Sequence, residues 1–110
     1  MEMDDALAAF AALSQQTRLE TFRLLVKAGG QGLLAGEIAD KLGVLQNTLS
    51  SNLNILSNAG LIRSEREGRA IRYFIRVEGM RGLLAFLLED CCGGRPELCQ
   101  PLVKELVDVC

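Results

Sequence analysis

Apolar residues recur at intervals of three and four along most of the chain, and at intervals of two in one stretch only. Leu7, Phe10, Ala11 and Ser14 lie at helical spacing and predict a short helix over residues 4–13, with Ser14 placed to cap the next one. That second helix runs from about Gln15 to Ala28. Leu19, Phe22 and Val26 share a face with Leu25 beside them, and Gly29-Gly30 ends it. A third helix fits Ala35 to Leu42, with Ile38, Ala39 and Leu42 as its stripe and Gly43 as its stop. A fourth follows at once from about Gln46 to Asn58, with Leu49, Leu53 and Leu56 inward and Gly60 closing it. Two short helices joined by a tight turn around a glycine form a helix-turn-helix.

From Ile62 to Val77 the period changes. Ile71, Tyr73, Ile75 and Val77 alternate with Ala70, Arg72, Phe74 and Arg76, a period of two rich in β-branched and aromatic residues, which predicts a strand. Ile62 to Arg66, before a Glu67-Gly68 turn, can pair with it as a hairpin, and a basic hairpin in this place is a wing. Residues 80–90 return to helix, with Met80, Leu83, Leu84, Leu87 and Leu88 as a broad apolar face. After Cys91-Cys92-Gly93-Gly94 a last helix is expected from about Pro101 to Val109, with Pro101 in its first turn, where a missing N–H does no harm. The expectation is one mainly α domain with a β-hairpin over residues 1–110, a winged helix-turn-helix. The helix-turn-helix occupies about 35–59, the wing about 62–77 and a C-terminal segment about 79–110.

Composition narrows the picture. Apolar residues make up 49% of the 110, enough for a core without metals or disulfides. No apolar run approaches the roughly 20 residues that span a bilayer, and the opening Met1-Glu2-Met3-Asp4-Asp5 is unlike a basic secretory start. A cytoplasmic protein, no membrane partner and reduced thiols are the expectations. There are four cysteines and no histidine, which removes imidazole chemistry and every zinc site that needs it. Charge is unevenly spread: residues 1–40 carry three basic and six acidic side chains, residues 41–76 six and two, residues 77–110 three and six. A basic middle between acidic ends suits contact with a polyanion.

The middle also carries the groups that read bases. Opposite Leu49, Leu53 and Leu56, the fourth helix presents Gln46, Asn47, Thr48, Ser50, Ser51 and Asn54, and no acidic residue lies between Lys41 and Arg63. Asn and Gln pair bidentately with adenine, and Ser and Thr reach bases or phosphates. Arg63, Arg66, Arg69, Arg72 and Arg76 offer phosphate or minor-groove contacts from the hairpin. Double-stranded DNA is therefore the expected partner. Without a histidine, a Gly-rich phosphate loop or a nucleophile motif, no catalytic constellation is evident, so an enzyme is not expected.

Three stretches, Leu13-Ser14-Gln15-Gln16-Thr17-Arg18-Leu19, Glu37-Ile38-Ala39-Asp40-Lys41-Leu42-Gly43 and Leu53-Asn54-Ile55-Leu56-Ser57-Asn58-Ala59-Gly60-Leu61-Ile62, together with the wing Arg66 to Phe74, cover most of residues 10–77. In combination they resemble the ArsR/SmtB family of bacterial metal- and metalloid-sensing repressors. The resemblance implies a homodimer on an inverted-repeat operator, with the first helix and the C-terminal segment as the dimer contact. Two positions depart from the family pattern. Leu45 stands where a serine often precedes the recognition helix, and Ser51-Asn52 where one or two histidines are frequent.

Within that resemblance the cysteines become candidates. Cys91 and Cys92 are adjacent, Gly93-Gly94 frees the backbone to fold back, and Cys99 can then join them. Three thiolates without imidazole favour a soft, thiophilic ion. Trivalent arsenic takes three sulfurs in a pyramid, and Sb(III) behaves alike, so As(III) is the expected inducer of an arsenic-resistance repressor. The alternatives are thiol oxidation at Cys91 or Cys92, or a soft divalent metal such as cadmium, lead or zinc. Cys110, at the end of the sequence, is left out of the triad.

Overall fold

The structure, a computed structural model, describes residues 1–89 and 96–109. Helices α1 (Met3–Leu13) and α2 (Gln16–Ala28) lead through a single 3-10 turn, Gly29–Gln31, to a two-residue strand β1 (Leu33–Leu34). Then come α3 (Ala35–Leu42), α4 (Gln46–Asn58), the hairpin strands β2 (Ile62–Glu67) and β3 (Ala70–Ile75), α5 (Val77–Leu88) and α6 (Pro96–Val109). The strands form one antiparallel sheet in the order β1-β3-β2, with Leu33 opposite Tyr73 and Ile62 opposite Ile75. This is the expected winged helix-turn-helix.

The core lies between α2, α3, α4 and the base of the sheet. Leu25, Ile38, Leu49, Leu53, Leu56 and Leu61 are fully buried, joined by Ile62 and Tyr73 from the strands and Leu83 from α5. The bounds of α3 and α4 coincide with the sequence reading, because apolar spacing and a glycine stop agree there. Gly43, at φ +67°, makes the left-handed turn between them, and the Val44 N–H donates back to the Ala39 carbonyl at 3.1 Å.

Several expectations are corrected. The second helix is capped by Gln15, whose side-chain oxygen accepts from the Arg18 N–H at 2.9 Å, while the Ser14 hydroxyl turns back to the Ala11 carbonyl at 3.1 Å. The buried face of α1 is Ala6, Ala9 and Ala12, and Leu7 and Phe10 face outward. Small residues let α1 sit close on its neighbours, so its large residues are the ones left over. In α2 the inner residues are Thr21 and Leu25, with Leu19 and Val26 exposed. Thr21 is tolerated inside because its hydroxyl donates to the Thr17 carbonyl at 2.7 Å.

The hairpin turn falls at Gly68-Arg69, one residue later than expected, because Glu67 still pairs with Ala70. Tyr73 and Phe74 are both buried although they point to opposite faces of β3. The Arg63 guanidinium lies over the Phe74 ring at 4.2 Å, and Gly32 gives the same ring room: a Cβ there would meet Phe74 Cδ1 at 2.7 Å. Val77 belongs to α5 rather than to the strand. The sheet pairing stops at Ile75, the Arg76 N–H donates to the Leu61 carbonyl at 3.0 Å, and helix starts after it. Finally, α6 begins at Pro96 and holds Pro101 inside it, so Pro96 takes the first-position role assigned to Pro101.

Candidate nucleic-acid interface

Helix α4 is fixed by Leu49, Leu53 and Leu56, whose packing turns Gln46, Asn47, Thr48, Ser50, Ser51 and Asn54 outward, and all six are exposed. The helix carries no charged side chain, so its outer face offers amides and hydroxyls alone. Some are partly occupied: the Ser50 hydroxyl donates to the Gln46 carbonyl at 2.9 Å, and Asn47 Oδ1 accepts from the Thr48 N–H at 2.9 Å. Leu45, 72% exposed, precedes the helix and makes no side-chain cap, as an apolar side chain must.

The wing arginines divide into two kinds. Arg66 and Arg69 are exposed, and among the described residues neither forms an ion pair. Arg63 pairs with Glu65 at 2.8 Å while stacking on Phe74. Arg72, partly exposed, is engaged by other residues of the chain. Its Nε donates to Glu67 at 2.6 Å, its Nη1 donates to the Gln31 carbonyl at 3.2 Å, and Glu37 stands 4.0 Å away. The hydrogen bond to Glu67 raises the Arg72 guanidinium above its ordinary value, with the charge of Glu67 and Glu37 adding to it. Glu37 meanwhile accepts from the Leu34 N–H at 2.8 Å, so Arg72 joins the wing to β1 and to the start of α3. The structure thus gives Arg72 an internal job that the sequence reading did not foresee.

Two more residues escaped the sequence reading. Asn52, on the inner side of α4, is 7% exposed, and its Oδ1 accepts from Arg18 Nη1 at 3.1 Å. Arg18 Nε donates to the Ala12 carbonyl, at the end of α1, at 2.6 Å. Position 52 lies three residues after Leu49 and four before Leu56, so the helical spacing held the signal. Of the proposed metalloid ligands, Cys91 and Cys92 lie outside the described residues. Cys99 falls within α6, and its side chain lies outside the described ones. The described parts therefore neither bring the triad together nor separate it.

A helix-turn-helix domain family matches residues 13–65. The uncharacterized HTH-type transcriptional regulator YbzH of Bacillus subtilis is 33% identical over 77% of this chain and 96% of its own length. An ArsR-like transcriptional regulator from Rhodococcus sp. RHA1 superposes with a TM-score of 0.68 at 29% identity, over 94% of this chain and 92% of that one. The Mycobacterium bovis fragment Mb0332, described as a homodimeric winged helix-turn-helix DNA-binding domain of a possible ArsR-family regulator, gives 0.65 at 25% identity over 84% and 86%. These relatives are regulators of transcription and none is described as an enzyme. Similarity of this extent, on a winged helix-turn-helix fold, shows that the chain belongs to the ArsR-type helix-turn-helix transcriptional regulators.

Proposed function

We propose that the protein is a homodimeric repressor that binds an inverted-repeat operator through α4 and the wing and leaves it when As(III) or Sb(III) binds Cys91, Cys92 and Cys99. The observation that carries the DNA half is the uncharged polar outer face of α4 together with Arg66 and Arg69 of the wing, which form no ion pair among the described residues. Amides and hydroxyls read base edges, and arginines neutralise phosphates. The dimer is supported by Leu7 and Phe10 on α1 and Leu84 and Leu87 on α5, all exposed, and by the homodimeric state described for Mb0332. Two copies place their reading helices about 34–36 Å apart to meet successive major grooves. Cytoplasmic residence follows from this role.

The inducer half rests on the donor set. Three thiols in a chain without histidine suit a soft trivalent ion. Arsenous acid exchanges three hydroxyls for three thiolates, each thiol proton leaving with a hydroxyl as water, and no electrons move. A few kcal/mol of coupling between that site and the spacing of the two α4 helices is enough to release the operator.

The test is fluorescence anisotropy of the full-length protein on duplex DNA from upstream of its own gene, with and without sodium arsenite. Saturable binding that arsenite reverses, and that arsenite no longer reverses once Cys91, Cys92 and Cys99 are all serine, supports the proposal. Binding insensitive to arsenite but reversed by peroxide moves the input to thiol oxidation, and reversal by cadmium or lead alone moves it to a soft divalent metal. No preference for this DNA over a random duplex overturns the operator reading.

A further inference from the structure

A partly buried polar contact lies on the inner side of α4, beside the leucines of the core. Asn52 is the one polar residue on the buried side of α4, between Leu49, Leu53 and Leu56. Its Oδ1 accepts from Arg18 Nη1 at 3.1 Å. The same guanidinium donates through Nε to the Ala12 carbonyl at 2.6 Å. Ala12 stands in the last turn of α1, where carbonyls lack a helical N–H partner and the helix dipole favours a cation. Arg18 is itself anchored by the cap of α2, where its N–H donates to Gln15. One planar fork therefore fixes three helices to one another: α1 through Ala12, α2 through its own backbone and α4 through Asn52.

The leucines cannot do this alone. Apolar contacts are non-directional and permit a helix to rotate or slide by a fraction of a turn, whereas a charge-assisted fork is directional. Successive residues of a helix are about 100° apart in azimuth, so holding Asn52 inward sets where Asn47, Thr48 and Ser51 point. The other end of the fork grips α1, whose outward Leu7 and Phe10 belong to the proposed dimer surface.

We propose that Arg18 is a positioning residue that ties the azimuth and placement of α4 to α1, and so sets which half-site spacing the dimer accepts. This rests on the dimeric DNA-binding reading above. Arg18 touches neither base nor phosphate in it.

The test uses an operator duplex selected with the parent protein, and variants of it with one base pair inserted or removed between the half-sites. The parent should prefer its own spacing by about tenfold or more, as a rigid dimer must. Arg18→Gln and Asn52→Leu, the second preserving volume while removing the acceptor, should bring that preference below about threefold, with sedimentation still showing dimers. The double variant should be no more relaxed than either single one, since both break the same link. Arg18→Lys keeps the charge but not the fork, and should fall between parent and Arg18→Gln. A parent without any preference for the operator overturns the DNA reading and this inference together. A parent with sharp spacing preference that folded Arg18→Gln and Asn52→Leu retain overturns this inference alone. Weakening on operator and random DNA by equal factors, with spacing preference intact, or loss of folding in both variants, assigns the contact to fold stability and also overturns it.

Discussion

The middle of the molecule and its two ends handle apolar residues in opposite ways. From α3 to β3, the leucines and isoleucines at helical or strand spacing go inside, and what faces outward is mostly amide, hydroxyl and guanidinium. In α1, α5 and α6 several large apolar residues are left outside: Leu7 and Phe10, then Leu84 and Leu87, then Leu102, Val103, Leu106 and Val107. Leu45 and Ile55 are the middle's exceptions. A single copy therefore completes the core of the reading unit and leaves the terminal helices with uncovered surface. On the proposed function, the polar exterior with Arg66 and Arg69 meets nucleic acid and the apolar exterior meets a second copy. The net charge runs the same way, positive in the middle and negative at both ends.

Substitutions of one leucine in each region sharpen the contrast most. Leu53, 1% exposed in the middle of α4, should lose about 2–5 kcal/mol of folding stability on change to Ala, through lost transfer energy and a cavity. Leu87 is 50% exposed in one copy. Changing Leu84 and Leu87 together to Glu should leave the dichroism spectrum intact but yield monomers in sedimentation, with weak operator binding. An intact dimer would place the interface elsewhere. Leu83, although it shares the sequence stripe with Leu87, is the wrong probe, since it is 7% exposed and belongs to the core. Removing residues 1–12 is equally ambiguous, because Ala6, Ala9 and Ala12 leave with the outward Leu7 and Phe10.

Within the middle the outer residues should separate by chemistry. Gln46→Ala or Asn47→Ala should cost roughly 1–3 kcal/mol on the operator and much less on random DNA, measured by competition binding. Equal losses on both would mean these side chains only seat the helix. Arg69→Ala should weaken all sequences alike and reduce the slope of log K against log salt by about one. Arg72 should behave differently from Arg69. Its donors are engaged by Glu67 and Gln31, so Arg72→Ala should loosen the wing and alter amide exchange in β1 and the start of α3. A salt slope reduced by one, with exchange unchanged, would return Arg72 to the phosphate contacts.

The same contrast explains what the sequence made legible. In the middle, periodicity, glycine stops and polar faces all report one event, burial within a single chain, so the bounds of α3 and α4 and the outer face of α4 could be read directly. At the ends the pattern reported where apolar side chains are, not what covers them. The spacing of Leu7 and Phe10 marks a helix without saying which side is covered, and alanines, too small to stand out, make the contact. Strand β1 is two residues long and has no period to detect. Val77, a β-branched residue continuing an alternating run, was read as strand because nothing local shows that sheet pairing ends at Ile75. Asn52's inward place is legible from its spacing to Leu49 and Leu56, but its partner is not: the partly buried contact joins residues 34 apart, and single-segment patterns carry no such pairing.

The smallest effect expected lies inside the middle region, at Tyr73, where β3 packs on the core. Burial raises the Tyr73 hydroxyl above its ordinary value, because the phenolate would have to sit in poorly solvated surroundings. The folded state thus holds this proton more tightly than the unfolded chain does. Below the unfolded value of about 10 both states are protonated, and the contribution to stability is fully present. As pH rises past that value the unfolded chain ionises first, and stability is lost until pH passes the raised folded value. Tyr73→Phe has no proton to lose. Urea midpoints of parent and variant should therefore lie close together at pH 8 and diverge above pH about 10, with the parent falling faster. Parallel curves across that range would mean that the hydroxyl reaches water as freely in the folded protein as in the unfolded one, and that the sheet does not close on the core at Tyr73.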